Sequence, residues 1–279
     1  MKEILRLEQV DYQYEDKYPA QKGVCVAINE SERIAVLGGN GAGKSTFFLC
    51  CNGVLRPQSG KVYLHGQEIT YSKKDIMSLR QAVGLVFQEP DSQIIAGSVE
   101  SEVSFGPINL KLQQEEVVQR VTQSLESMNL SGYQNRAPQY LSGGEKKRVC
   151  IADILAMKPE ILLLDEPTAS LDPENVTLLE STLNELSDAG ISLVVSTHDV
   201  DFAYRFAKRG IVFRNGEIIA DDDIEKVFES EEILVLAGLK KPLLYEAAEL
   251  LEKRFGNSGD TTKPKNITMF NEYVRELKV

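Results

Sequence analysis

The 279-residue chain predicts an α/β fold with a largely parallel central sheet, and three observations predict it. Short β-branched runs alternate with longer amphipathic segments, one run leads through a glycine-rich loop into a helix, and another ends in two acids. Hydrophobic residues make up 42% and charged residues 26%, the balance of an ordinary folded protein able to bury a substantial core.

The clearest strands, expected at the centre of the sheet, are Arg33 to Leu37, Val83 to Phe87, Ile161 to Asp165 and Ile191 to Thr197. Ile4 to Val10, Val24 to Ile28 and a run near Lys61 to Leu64, closed by His65-Gly66, predict an antiparallel subdomain at one edge. Between Gln113 and Asn129 the apolar residues Val117, Val121, Leu125 and Met128 recur at helical spacing, so a helical insertion interrupts the sheet. After Gly216 one more strand is expected. Leu244, Ala247 and Leu251 then mark a helix, Gly256 to Lys265 a linker, and Ile267, Phe270, Val274 and Leu277 a last helix.

Composition excludes several classes. The longest apolar runs, Ile161 to Leu164 and Ile191 to Val195, fall far short of the about 20 residues that span a bilayer, so no membrane span is expected. The start, Met1-Lys2-Glu3-Ile4, turns polar at once, and a cytoplasmic location is expected. A formal charge of −11 argues against nucleic acid as a partner. Cys25, Cys50, Cys51 and Cys150 show neither metal-site nor disulfide-framework spacing, and buried free thiols are expected.

Gly38-Gly39-Asn40-Gly41-Ala42-Gly43-Lys44-Ser45 fits G-x-x-x-x-G-K-[ST] and stands after an apolar strand and before a helix, where a phosphate loop must stand. Glycines let successive N–H groups turn inward, and the helix start adds positive potential. Lys44 is then expected on the β- and γ-phosphates and Ser45 on Mg²⁺, with Thr46 completing the nucleotide contacts. A glycine-rich turn matching by accident has about a one per cent chance in a chain this long. The pattern fixes nucleotide binding but neither the nucleotide nor the reaction.

Ile161-Leu162-Leu163-Leu164-Asp165-Glu166 reads as a buried strand delivering two acids to the carboxyl edge of the sheet, beside the phosphate loop. Asp165 is the expected Mg²⁺ partner and Glu166 the base that polarises the attacking water. Alone, such a pair is more often a solvated helix start; the phosphate loop upstream reverses that preference. Gln88 and His198 each follow a predicted strand and reach the same rim, which points to contact with the γ-phosphate and its metal.

Leu141-Ser142-Gly143-Gly144-Glu145-Lys146-Lys147-Arg148 opens a helix stopped by Pro159 and looks like a second phosphate site, which suggests a nucleotide shared between two copies. Here the sequence closely resembles the ATPase subunits of ATP-binding-cassette transporters, whose signature is LSGGQ, over roughly its first four-fifths. The resemblance implies a P-loop NTPase with a parallel core sheet, an antiparallel β subdomain, a helical signature subdomain and a small helical C-terminal extension. Its boundaries would be 1–222 for the nucleotide-binding domain, with the helical subdomain at about 90–158, and 223–279 for the extension.

It further implies that Tyr14 stacks on adenine, that Asp172 belongs to the loop at the dimer seam, and that Ser142, Gly143, Gly144 and Glu145 face the ATP held by the other subunit. Two departures stand out. Glu145 replaces the usual Gln, adding a negative charge near phosphate with slower closure as the implied consequence, and Gly39 replaces a common Pro.

A narrower resemblance lies in Phe87-Gln88-Glu89-Pro90-Asp91-Ser92-Gln93 followed by Phe105-Gly106-Pro107, similar to energy-coupling-factor importers. Tyr71 to Met77 and the helical tail look most like the cobalt-type members. This implies an ATPase on the cytoplasmic face of the membrane, using ATP and Mg²⁺. Gln93 and its neighbours would grip the coupling helices of a membrane-embedded protein, beside a separate substrate-binding component, in a homodimer or a heterodimer with a related ATPase. Cobalt or nickel is the implied cargo, with a vitamin second. A soluble cassette ATPase would usually show basic surfaces or coiled-coil arms, which are not apparent. A small-metabolite kinase would have no use for Leu141 to Glu145, and a regulatory subunit without turnover would not need Glu166 and His198.

Overall fold

The computed structural model describes residues 2–15, 18–255 and 262–277. Along the chain run β1 (Glu3–Tyr14), β2 (Tyr18–Asn29), β3 (Arg33–Leu37), α1 (Lys44–Cys51), β4 (Ser59–Leu64), β5 (Gln67–Glu68), α2 (Lys73–Ala82) and β6 (Val83–Val86). Then come α3 (Val99–Asn109), α4 (Gln114–Ser127), α5 (Gly143–Ala156), β7 (Ile161–Asp165), α6 (Pro173–Asp188), β8 (Ser192–Ser196) and α7 (Val200–Phe206). The chain closes with β9 (Arg209–Arg214), β10 (Glu217–Asp223), α8 (Ile224–Glu229), α9 (Glu231–Ala237), α10 (Leu243–Phe255) and α11 (Ile267–Glu276).

The strands form two sheets. The central one has the order β10-β9-β3-β8-β7-β6, parallel except for β10, which folds back antiparallel on β9. The second, β2-β1-β4-β5, is antiparallel throughout. Because helices or the second sheet cover both faces of the central sheet, its inner strands are apolar without alternation. The pleat sorts them: Ala35 and Leu37 join the core beneath the helical insertion, whereas Ile34 and Val36 join the core shared with α1 and the antiparallel sheet. Leu162 and Leu164 divide from Ile161 and Leu163 in the same way.

Helix α2 shows how local sequence sets an element. Ser72 caps it by accepting from the Asp75 N–H, while the Asp75 carboxylate accepts from the Thr70 N–H at 3.0 Å. That uses the resemblance-bearing stretch Tyr71 to Met77 as a turn and a helix start. In the insertion, Val117, Val121 and Leu125 turn inward on α4, and α3, α4 and α5 pack on one another. Strand β9 lies inside the central sheet and was not anticipated; its short Gly210 to Phe213 core is bracketed by arginines that read as loop. Helices α8 and α9 likewise precede the two helices expected after Gly216. Of the expected linker, residues 256–261 lie outside the described residues.

No described helix is long and apolar enough to cross a membrane. The thiols of Cys50, Cys51 and Cys150 are buried and unpaired, but Cys25 is exposed, against expectation. It sits on the solvent face of β2, where its sulfur accepts from the Gln9 backbone at 3.2 Å and side chain at 2.9 Å.

Candidate active site

The phosphate loop leaves β3 and enters α1, and its glycines are required by close approach. A Cβ on Gly38, at φ 138°, would stand 2.3 Å from the Phe213 carbonyl oxygen, and one on Gly43, at φ 114°, 2.5 Å from that of Ala20. Gly39 is different. Its φ is not left-handed and nothing lies within 4 Å of an added Cβ, so the position tolerates the departure from Pro.

Around this loop lies a cleft of about 450 Å³ lined by Tyr14, Tyr18, Pro19, Ala20, the segment 40–46, Gln88, Asp165, Glu166 and His198. The structure thus brings together Asn40, Gly41, Ala42, Gly43, Lys44, Ser45 and Thr46 with the two acids and both strand-end residues. Five parallel strands end at this edge, and four of them, β3, β6, β7 and β8, are followed by residues of the cleft, which is why residues far apart in sequence share it. Tyr14 leans over the cleft, its hydroxyl 3.3 Å from Thr46 Oγ1 and its ring edge-on to Tyr12.

Lys44 is buried, and its ammonium donates to the carbonyls of Gly38 at 2.7 Å and Gly39 at 3.2 Å. Burial lowers its pKa, while the charges of Glu166 and Asp165 push the other way. Asp165 accepts from the Ser196 hydroxyl, which also accepts from the Glu166 N–H at 3.1 Å. Glu166 sits at φ 43°, a left-handed position for a non-glycine residue, and only 4% of it is exposed. Burial raises its pKa; His198, Lys44 and the His198 N–H oppose that rise. The Glu166 Oε1 atom is buried without a hydrogen-bond donor.

That oxygen lies 2.9 Å from His198 Nδ1 without an aligned hydrogen bond, and the carboxylate it belongs to lines the cleft where a water would give up a proton. Ser45, Gln88 and Asp165 offer hard oxygen donors of the kind Mg²⁺ prefers, and Ser45 is exposed to the cleft. Among the described residues no cluster of three or more His, Cys, Asp or Glu side chains could hold a metal. A divalent cation here would therefore complete its shell with phosphate and water oxygens, and the donor set fits that role.

Ser142, Gly143, Gly144, Glu145 and Asp172 do not line this cleft. Gly143 instead lines a neighbouring pocket with Gln88, Lys146 and Leu171. Ser142 and Gly143 are exposed at the start of α5, and Asp172 caps α6, accepting from the Asn175 N–H at 2.9 Å and side-chain amide at 2.7 Å. The Glu145 carboxylate accepts from the Ser142 N–H at 2.7 Å and the Tyr133 hydroxyl at 2.8 Å, closing a capping box. Its charge is committed to its own helix start, a use that the Ser142-x-x-Glu145 spacing signals. These contacts also lower its pKa, the Ser142 N–H most of all.

The chain has a nucleotide cleft and, outside it, a second glycine turn, with Gln88 lining both the cleft and the pocket that holds Gly143. A family profile described as ABC transporter matches residues 21–169. The chain belongs to the ABC transporter family, as an ATP-binding protein of the energy-coupling-factor type. It is 47% identical to the energy-coupling factor transporter ATP-binding protein EcfA of Methanothermobacter thermautotrophicus, over 90% of this chain and 79% of that protein. It is 42% identical to the EcfA of Methanocaldococcus jannaschii, over 90% of each. Among solved structures, cbiO1 of Clostridium perfringens, part of the ABC transporter complex cbiONQ, matches at 37% identity and a TM-score of 0.76, covering 92% of this chain and 98% of that one. A dimeric cassette in a post-hydrolysis state with ADP and Pi matches at 29% identity and a TM-score of 0.71, covering 79% and 99%.

This cassette is an ATPase. Three further residues shape its cleft without having been anticipated. Gln21, 1% exposed, donates to the Gly43 carbonyl at 2.7 Å; Ser196 links the two acids; and Lys147 is buried beneath Gln88. No local pattern marks them. Gln21 and Ser196 are single polar residues within strands, and Lys147 stands in a run of four charges that reads as a solvated helix face.

Proposed function

We propose that this cassette hydrolyses MgATP as one half of a dimer on the cytoplasmic face of the membrane, and that it energises an energy-coupling-factor importer for cobalt or nickel ions. The observation that carries the motor reading is the separation of the two half-sites: phosphate loop, acids and His198 share one cleft, while Ser142 and Gly143 are exposed outside it. A second copy can bring its Ser142 turn to the first copy's cleft. Two triphosphates clamped this way can supply the roughly 5.5 kcal/mol that takes a two-state dimer from mostly open to mostly closed.

In the closed site Lys44 and the loop amides hold the β- and γ-phosphates, and Tyr14 faces the base. Mg²⁺, held by Ser45, Gln88 and Asp165, would neutralise charge developing on the phosphate oxygens. Glu166 takes the proton of the attacking water on its carboxylate. His198, its Nδ1 2.9 Å from Glu166 Oε1, orients that carboxylate and reaches the γ-phosphate. After hydrolysis the clamp loosens and the dimer reopens.

Residues 1–222 form the nucleotide-binding unit in this reading, with about 90–158 as its helical subdomain, and 223–279 an extension adding dimer contacts. Exposed Leu243 and Leu250, seven residues apart on α10, support the last assignment. Ile95 is 73% exposed beside Gln93, and with exposed Phe105 and Ile108 it offers apolar surface to the coupling helices of a membrane partner. The metal cargo rests on the likeness of residues 71–77 and of the helical tail to cobalt-type members, and on the match to cbiO1.

The test is to purify the chain from membranes with whatever accompanies it and to follow labelled cobalt uptake by cells carrying the set. ATP-dependent uptake lost with Glu166→Gln is expected. Uptake of a labelled vitamin in place of the metal would move the cargo, and purification with no membrane protein would remove the importer reading.

A further inference from the structure

The helix that begins with the Ser142 turn also carries a buried charge, and that charge touches the other half-site. Lys147 lies on α5 and is 2% exposed. Its ammonium donates to the carbonyl oxygens of Phe87 at 3.1 Å and Gln88 at 2.5 Å. Among the described residues no carboxylate lies within ion-pair distance of it. Enclosing an unpaired ammonium is expensive, and a methionine of similar length would fill the same space without that cost. The expense is offset where the charge grips backbone carbonyls that would otherwise lack donors.

Phe87 is gripped from both sides. Its N–H donates to Gln93 Oε1 at 3.1 Å, and the Gln93 amide donates to the Cys150 carbonyl on α5 at 3.3 Å. Lys146 adds an ion pair to Asp91 at 2.6 Å. Residues 87–93, the only covalent path from β6 into the helical insertion, are thus tied to α5 by three side chains, and Lys147 holds the two peptide groups that set where Gln88 points.

We propose that Lys147 is a positioning residue for Gln88: by binding the Phe87 and Gln88 carbonyls it fixes the two peptide groups from which the Gln88 side chain enters the nucleotide cleft. One helix then joins a Ser142 turn facing the partner's nucleotide to a Gln88 facing this chain's own. The inference rests on the reading of Gln88 as a ligand of MgATP.

The experiment is a cycle of Lys147→Met and Gln88→Ala, alone and together, on the full chain, with Lys147→Arg as the rescue. Lys147→Met is expected to lower kcat about 10-fold while the KM for MgATP changes less than about 2-fold, and Lys147→Arg to recover most of the loss. In the Gln88→Ala background Lys147→Met should add little, because both act through one contact. Losses that multiply, a Lys147→Arg as slow as Lys147→Met, or a kcat that falls only with the folded fraction would each overturn the proposal. If Lys147→Met does not fold, Lys147→Gln, which keeps an amide donor, is read in the same cycle with the same outcomes. A silent Gln88→Ala would sink the MgATP reading of Gln88 and this inference with it, whereas a slow Gln88→Ala beside a silent Lys147→Met sinks the inference alone.

Discussion

His198 Nδ1 stands 2.9 Å from Glu166 Oε1, yet that oxygen receives no aligned hydrogen bond. The two side chains are unequal: 56% of the imidazole is exposed and 6% of the carboxylate. A buried carboxylate is thus held beside an exposed imidazole at the rim of the cleft, and its low exposure favours the protonated form that a general base reaches on taking a proton.

Replacing Glu166 by Gln removes the basic carboxylate while keeping shape. Turnover should fall by about 10²–10⁴, with ATP affinity retained. Phosphate release against time, beside binding of a fluorescent nucleotide, checks both halves. Hydrolysis at the parent rate would show that another group activates the water.

The same carboxylate should govern the acidic limb of the rate profile. Burial raises its pKa, so proton binding should silence the base at a pH above the ordinary glutamate value of about 4.3. For stability the sign is opposite: a raised carboxyl favours the fold at low pH, and that contribution fades as pH rises through the folded pKa. Measured kcat between pH 5 and 8 should show the limb, and Lys44→Met, which removes a charge opposing the rise, should move it upward in any residual activity.

Asp153 on α5 carries a second raised carboxyl, at about 7, through burial and the neighbouring charge of Glu102, with a Gln93 hydrogen bond opposing. Its contribution to stability is complete below the unfolded value near 3.8 and is lost as pH climbs through about 7. Asp153→Asn should therefore raise Tm by several degrees at pH 8, ~1–3 kcal/mol, with the gain shrinking toward pH 4. Thermal melts across that range test it. A gain that grows as pH falls would reverse the assignment.

Gly144 packs against α6 so closely that an added Cβ would stand 2.5 Å from Asn175 Oδ1, the atom that accepts from Arg148 at 2.8 Å. Gly144→Ala should cost ~1–3 kcal/mol of stability and weaken ATP-driven dimerisation of the Glu166→Gln protein. Asn175→Ala in the same chain should recover part of the stability by making room. Light scattering with ATP and thermal melts separate the two effects.

Much of the architecture was legible because its information is local. The phosphate loop compresses glycines, Lys44 and Ser45 into eight consecutive residues, and a strand followed by Asp165 and Glu166 announces its own edge. The four central strands are read from continuous apolar runs, since parallel strands bury both faces. Strand β9 and helices α8 and α9 escaped because they are short and charged at their ends, so their identity depends on the sheet that receives them.

The sequence by itself determined which chemistry is present: a triphosphate cradle, an acid pair and a second glycine turn, each fixed by neighbours along the backbone. Only the tertiary structure decided where the ambiguous charges go. Glu145 took the Tyr133 hydroxyl, Lys147 went beneath Gln88, and Cys25 stayed in solvent. The reason is that backbone spacing sets the order of donors and acceptors, whereas burial is set by elements that arrive from distant parts of the chain. A run such as Glu145-Lys146-Lys147-Arg148 cannot state which of its members faces a carbonyl and which faces water.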